Sequence, residues 1–152
     1  VLAAIPNLHA RIKVKQVIGG GGTVRADFEL QIDSKANGGN PVPDIPRIGM
    51  QFAVPGDLNR VKWYGRGPHE NYWDRKTSAA IGIYSSTVED WVSPYVRPQE
   101  NANRCDVRWL ALANETGAGL HFEGTTGAPL SISAWPYSMN DLTQAIYNYE
   151  LP

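Results

Sequence analysis

The chain has 152 residues, 42% hydrophobic and 19% charged, with a net charge of −1. This is enough apolar material to build a core, which excludes a disordered chain. The near-zero charge supplies no attraction to nucleic acid or to an anionic membrane surface, and no apolar run approaches the roughly 20 residues a membrane-spanning helix needs.

The first stretch, VLAAIPNLHARIKV, has no initiating Met and lacks the basic start and long apolar run of a signal peptide. The chain is therefore expected to be a piece of a larger protein, and its compartment stays open. HARIKVKQVI places Ile12, Val14 and Gln16 on one face and Arg11, Lys13 and Lys15 on the other. VRADFELQID alternates in the same way, with Ala26, Phe28, Leu30 and Ile32 opposite Arg25, Asp27, Glu29, Gln31 and Asp33. Period two is the signature of a strand with one wet face, so the two runs form antiparallel neighbours joined by a turn at the glycines 19–22. KANGGNPVPD reads as a loop, PRIGMQFAV as a strand and LNRVKWYGR as another.

Gly65, Gly67 and Pro68 break that last strand, which puts HENYWDR on a loop. SAAIGIYSSTV is a further strand, RCDVRWLALAN and GLHFEG flank a turn at ETGA, and PLSISAW is a short strand. Near the end Ser138 and Asp141 form a capping box that opens a helix, with Leu142, Ala145 and Ile146 on one face. Fifteen Gly and eleven Pro leave little room for long helices. Short strands between turn signals predict an all-β fold, an antiparallel sandwich or barrel.

Two stretches carry most of the chemistry. VKWYGRGPHENYWDR brings His69, Glu70, Asp74 and Arg75 close to Trp63, Tyr64, Tyr72 and Trp73. His69, Glu70 and Asp74 are of the right type for acid–base work, and glycosidases use carboxyl pairs roughly 5–10 Å apart. Four residues of spacing on a loop does not make Glu70 and Asp74 face each other, and the structural reading is that Glu70, Asp74, Arg66 and Arg75 pair locally. SPYVRPQENANRCDVRW sets Glu100, Asn101, Asn103 and Arg104 just before the strand that carries Trp109. Polar groups beside aromatic faces suit a sugar, and they equally suit a loop pinned by its own hydrogen bonds. The single Cys105 excludes an internal disulfide and is expected to be buried in a strand. His9, His69 and His121 have no metal-ligand spacing.

The ordered signatures Gly-x-Gly-Pro-x-Glu-Asn-Tyr-x-Asp-Arg and Tyr-x-x-Pro-x-Glu-Asn-x-x-Arg-Cys, with IPRIGMQFAVP before them and SISAWPYSMNDLTQA after them, resemble the C-terminal small-chain domain of the large bacterial β-galactosidases of glycoside hydrolase family two. The resemblance runs from about residue 20 to the end. It implies an antiparallel β-supersandwich similar to the galactose mutarotases, the last of five domains in an enzyme that hydrolyses terminal β-galactosides with retention. It places both catalytic glutamates, and Mg2+ and Na+, in a central domain outside this chain, so this chain carries no catalytic residue and no cofactor. The family's Gly-Gly-Asp-Asp-Ser segment, after which a tryptophan reaches the galactose site, has no counterpart here, so the last strands are expected to be missing.

The resemblance makes His69, Glu70, Asn71, Tyr72, Asp74, Arg75, Glu100, Asn101, Arg104 and Trp109 candidates for facing carbohydrate or another domain. The expected partners are the other domains of the enzyme and, in the intact protein, galactose or β-galactosides. Uncovered sheet edges could also pair with a second copy of the chain. Two alternatives remain: a stand-alone carbohydrate-binding module with Trp63, Tyr72, Trp73 and Trp109 as stacking platforms, and a mutarotase-like aldose epimerase using His69 and Glu100.

Overall fold

The computed structural model describes residues 9–33, 47–125 and 127–152. It divides into two compact units, residues 1–51 and 52–152. The loop expected at KANGGNPVPD lies outside the described residues.

In the first unit β1 (His9–Ile18) pairs antiparallel with β2 (Val24–Asp33) in unbroken register. Ile12 opposes Leu30, and Val14 opposes Phe28, so the apolar sets of both strands share a face as the alternation predicts. On the other face basic β1 meets acidic β2, with Lys13 opposite Glu29 and Lys15 opposite Asp27. The turn closes through Gly19 and Gly22, and Gly22 has a φ of 81° that a side chain would disfavour.

The second unit holds two antiparallel sheets. The larger has the order β4 (Ala80–Thr87), β3 (Arg60–Gly67), β6 (Trp109–Ala113), β7 (Gly119–Glu123). The smaller pairs β5 (Arg104–Val107) with β8 (Leu130–Ile132). Alternation along β3 buries Val61 and Trp63 and leaves Lys62 and Tyr64 outside. Val61 and Trp63, with Leu110 and Leu112 of β6, meet Val107 of β5 in a core that Leu130 and Ile132 of β8 also line. These are two layers packed face to face around apolar side chains, the arrangement of a sandwich.

A Cβ added at Gly65 would lie 2.8 Å from the Val107 Cα, so a glycine is what lets β3 and β5 approach this closely. Trp91 closes the core edge-on to Trp63, at 4.9 Å between ring centroids.

Three expectations are corrected. PRIGMQFAV forms no strand over its described part: Ile48, Met50 and Phe52 alternate, but no ladder joins residues 47–54 and all three are exposed. RCDVRWLALAN is not one strand. It breaks at Arg108 and contributes β5 and β6 to different sheets, and within β5 Asp106 adopts a φ of 53° beside an irregularity in the pairing with β8. The expected capping box is present at Ser138 and Asp141, but α2 spans only Met139–Gln144. Leu142 and Ala145 are buried while Ile146 is exposed. A four-residue helix, α1 (Val88–Trp91), was not anticipated; the Thr87 side chain caps it by accepting from the Asp90 N–H.

Candidate functional site

The two signature stretches meet. The first follows β3 as a loop over 68–79, and the second runs from Pro94 into β5. Glu70 links them. One carboxylate oxygen accepts from Arg75 Nη2 at 2.8 Å and from the Tyr95 hydroxyl, and the other accepts from the Ala102 backbone N–H at 2.6 Å. Only 8% of the Glu70 side chain is exposed. Burial alone would raise its pKa. The donors Tyr95, Ala102 N–H and Ser93, together with the Arg75 charge, outweigh that and hold the carboxyl below its ordinary value. The same hydrogen bond from Tyr95 pushes the Tyr95 hydroxyl up. The Ala102 N–H can point at Glu70 because Ala102 sits at a φ of 65° and is fully buried.

A second link lies beside the first. Asn71, with no exposed surface, donates from Nδ2 to the His69 carbonyl at 2.9 Å and accepts at Oδ1 from the Cys105 N–H at 2.8 Å. Its backbone N–H donates to the Asn103 carbonyl at 2.9 Å, and its carbonyl accepts from Asn103 Nδ2 at 2.8 Å. The two asparagines thus replace a strand pairing that the loops cannot make, and buried amides are satisfied on both sides. Asn101 does similar work within the second stretch, accepting from the Ser93 N–H at 3.1 Å and donating to the Gln99 carbonyl at 3.0 Å.

Arg104 is 3% exposed. Its guanidinium lies over Trp91 at 4.6 Å and Trp63 at 5.5 Å, and Nη1 donates to the Ala102 and Asn103 carbonyls. Burial lowers its pKa to about 10, partly offset by the nearby Glu70 carboxylate. At the other end of β5, Asp106 accepts from Arg66 Nε and from Lys76 Nζ at 3.3 Å, and Arg66 Nη1 also donates to the Lys76 and Ala79 carbonyls. The Arg66 hydrogen bond leads the causes that hold the Asp106 carboxyl below its usual range.

The remaining candidates lie around these links. His69 is exposed, with Nε2 3.0 Å from Ser78 Oγ. Asp74 is exposed and Glu100 is half-buried. Tyr72 is half-buried beneath the Arg75 guanidinium at 4.6 Å, and burial, then Glu70 and Glu100, push its hydroxyl pKa up. Trp109, half-buried on the outer side of the larger sheet, stacks with His121 at 5.9 Å. Trp63 lies in the core and offers no open ring face. Among the described residues no three His, Cys, Asp or Glu side chains gather where they could hold a metal.

Sequence reasoning picked out Glu70, Asn71, Asn101 and Arg104, and the structure brings them into one network. It missed Tyr95, the partner of Glu70 and Arg75, and Asp106, the partner of Arg66 and Lys76; Asn103 stood out for its chemistry but not as the partner of Asn71. Tyr95 heads the second signature, and that position was the available signal.

Known proteins match nearly the whole of this chain, both stretches included. The family model for the beta galactosidase small chain matches residues 7–152. A beta-galactosidase of Priestia megaterium is 40% identical over 130 residues, 86% of this chain and 12% of that protein. Beta-galactosidase BgaC of Bifidobacterium adolescentis is 36% identical over 150 residues, 98% of this chain and 14% of its own length. A beta-galactosidase of Vibrio cholerae is 37% identical over 144 residues, 95% and 13%. The chain thus spans 12–14% of the length of these relatives. With the match running through both interlocked stretches and nearly end to end, the chain belongs to the β-galactosidase small-chain family.

Proposed function

We propose that the chain is the non-catalytic C-terminal domain of a retaining β-galactosidase of glycoside hydrolase family two. In the intact enzyme, which hydrolyses terminal β-D-galactosides, it gives structural support as a galactose mutarotase-like β-supersandwich and helps to complete the active site. The observation that carries this is the state of Glu70. A retaining glycosidase needs one carboxyl group to protonate the leaving group, with its pKa raised, and a second to attack. Glu70 has both oxygens engaged and its pKa lowered, so it is suited to holding loops rather than giving up a proton. In the intact enzyme Mg2+ and Na+ would belong to the central domain, outside this chain.

The test is turnover of a nitrophenyl β-galactoside by the purified chain, alone and mixed with the remaining domains of the enzyme. The expected outcome is no hydrolysis alone and hydrolysis in the mixture. Turnover by the chain alone that disappears in Glu70→Gln or Glu100→Gln would overturn the proposal.

A further inference from the structure

The face of the larger sheet turned away from the core carries side chains that the links between the signature stretches do not use. Register places Tyr64 of β3 directly opposite Trp109 of β6, and Trp109 opposite Glu123 of β7. One pleat along, Lys62, Ala111 and His121 form a second row on the same face. Directly opposed residues of an antiparallel pair have Cβ atoms about 4.5–5.5 Å apart, so the two aromatic rings are neighbours. His121 packs on Trp109 at 5.9 Å and approaches Glu123 at 3.4 Å. The face is open: Tyr64 is 37% exposed, and the side chains of His121 and Glu123 are 54% and 69% exposed. Ala111 lies between two longer side chains, Lys62 and His121, and makes a low floor beside Trp109.

The geometry points to a pyranoside-binding subsite on this face, with the apolar face of one sugar ring stacked on Trp109 and Tyr64 over the Ala111 floor, and its hydroxyls donating to Glu123 and accepting from Lys62. Three features select that ligand. Flat aromatic rings match the C–H face of a pyranose, and Tyr and Trp add a polar edge for its hydroxyls. The centre of a protein interface is depleted in charge, whereas here Lys62 and Glu123 stand in the same two rows as the rings. Charges of both signs suit a neutral ligand whose hydroxyls each donate and accept, rather than an anion. The rows cross three strands, roughly 10 Å at 4.7–4.9 Å per step, which leaves room for one sugar ring with its substituents. This site goes beyond the supporting role proposed above; only the choice of a galactoside as the probe rests on that role.

Hydroxyl-radical footprinting of the intact polypeptide that carries this chain, read by mass spectrometry, tests it. The probe is methyl thio-β-D-galactopyranoside, whose sulfur linkage resists hydrolysis. Trp73, 78% exposed and on the loop after β3, is the internal standard, so radical scavenging by the sugar cancels in the Trp109-to-Trp73 oxidation ratio. Titrating the sugar to its solubility limit is expected to lower that ratio about twofold or more, because a stacked sugar takes one face of the indole out of water. A ratio that stays level or rises overturns the inference. Ala111→Leu raises the floor and is expected to abolish the protection; protection that survives in this variant overturns it as well. Hydrolysis of a nitrophenyl β-galactoside by the same unsubstituted sample reports on the proposed function, so failure of one reading is distinguishable from failure of the other.

Discussion

The Glu70 carboxylate and the Ala102 N–H meet at 2.6 Å across 32 residues of sequence, which joins the two signature loops at a backbone group that Ala102's left-handed conformation turns toward the acid. Replacing Glu70 with Ala leaves that buried N–H and the Tyr95 hydroxyl without their acceptor. The expected loss is about 1.5–3 kcal/mol of stability, the usual range for hydrogen bonds to a charged group. Urea denaturation of the variant checks it, and an unchanged midpoint would mean that the link is not a stabilising one.

Acid should weaken the same links. The folded pKa values of Glu70 and Asp106 are lowered, so their contribution is complete above the ordinary values of 4.5 and 3.8 and is lost as pH falls through the depressed folded values. Asp141 at the start of α2 acts in the same direction. The melting temperature is expected to hold from neutral pH to about pH 4.5 and to fall below it. Combining Glu70→Gln with Asp106→Asn should flatten that fall, and an equally steep fall in the double variant would point to other groups.

Asn71 is the buried counterpart of Glu70. Asn71→Ala removes the acceptor of the Cys105 N–H and the donor to the His69 carbonyl. Each buried group left unpaired costs about 1–3 kcal/mol, so the variant is expected to lose about 2–4 kcal/mol, more than a typical surface substitution. Chemical denaturation measures it, and a loss of a few tenths would show that neighbours re-pair around the gap.

At Arg104 the tryptophans supply the readout. Arg104→Met keeps apolar bulk against Trp63 and Trp91 but removes the cation above both rings and the donor to two carbonyls. The near-ultraviolet circular dichroism of the indoles should change, with a stability loss of about 1–3 kcal/mol from the unpaired carbonyls. Identical spectra would mean that the stacking is incidental.

Gly65→Ala tests the spacing of the layers. The added methyl group would lie 2.8 Å from Val107 Cα and 3.1 Å from the Asp106 carbonyl oxygen, both in a part of the backbone held in place by the Asp106 ion pairs. Overpacking of this kind costs about 1–3 kcal/mol. A thermal melt at or above the unsubstituted temperature would show that β3 and β5 can move apart freely.

Local patterning made the strands readable and said little about their partners. Alternation located β1, β2 and β3 because half-buried strands are written with period two. It over-read residues 47–54, where Ile48, Met50 and Phe52 alternate but no strand pairs with them. It ran β5 into β6, since the two are separated by pairing with different distant strands, β8 and β3, which local patterning does not show. The helix α1 is a single turn and leaves no periodicity to detect. The candidate site was legible as residue types only. Glu70, Asn71, Asn101 and Arg104 stood out for their chemistry, but whether each faced a ligand or a neighbouring loop depended on contacts such as Asn71 with Asn103, which sequence spacing does not encode.

That reciprocal pairing of Asn71 with Asn103 has an evolutionary corollary. The Asn103 side chain donates to the Asn71 carbonyl and the Asn71 side chain accepts from the Cys105 N–H, so a change at either asparagine strands a backbone group in the other stretch, and drift in one is penalised unless the other shifts as well. The two segments are therefore expected to be inherited as a coupled block.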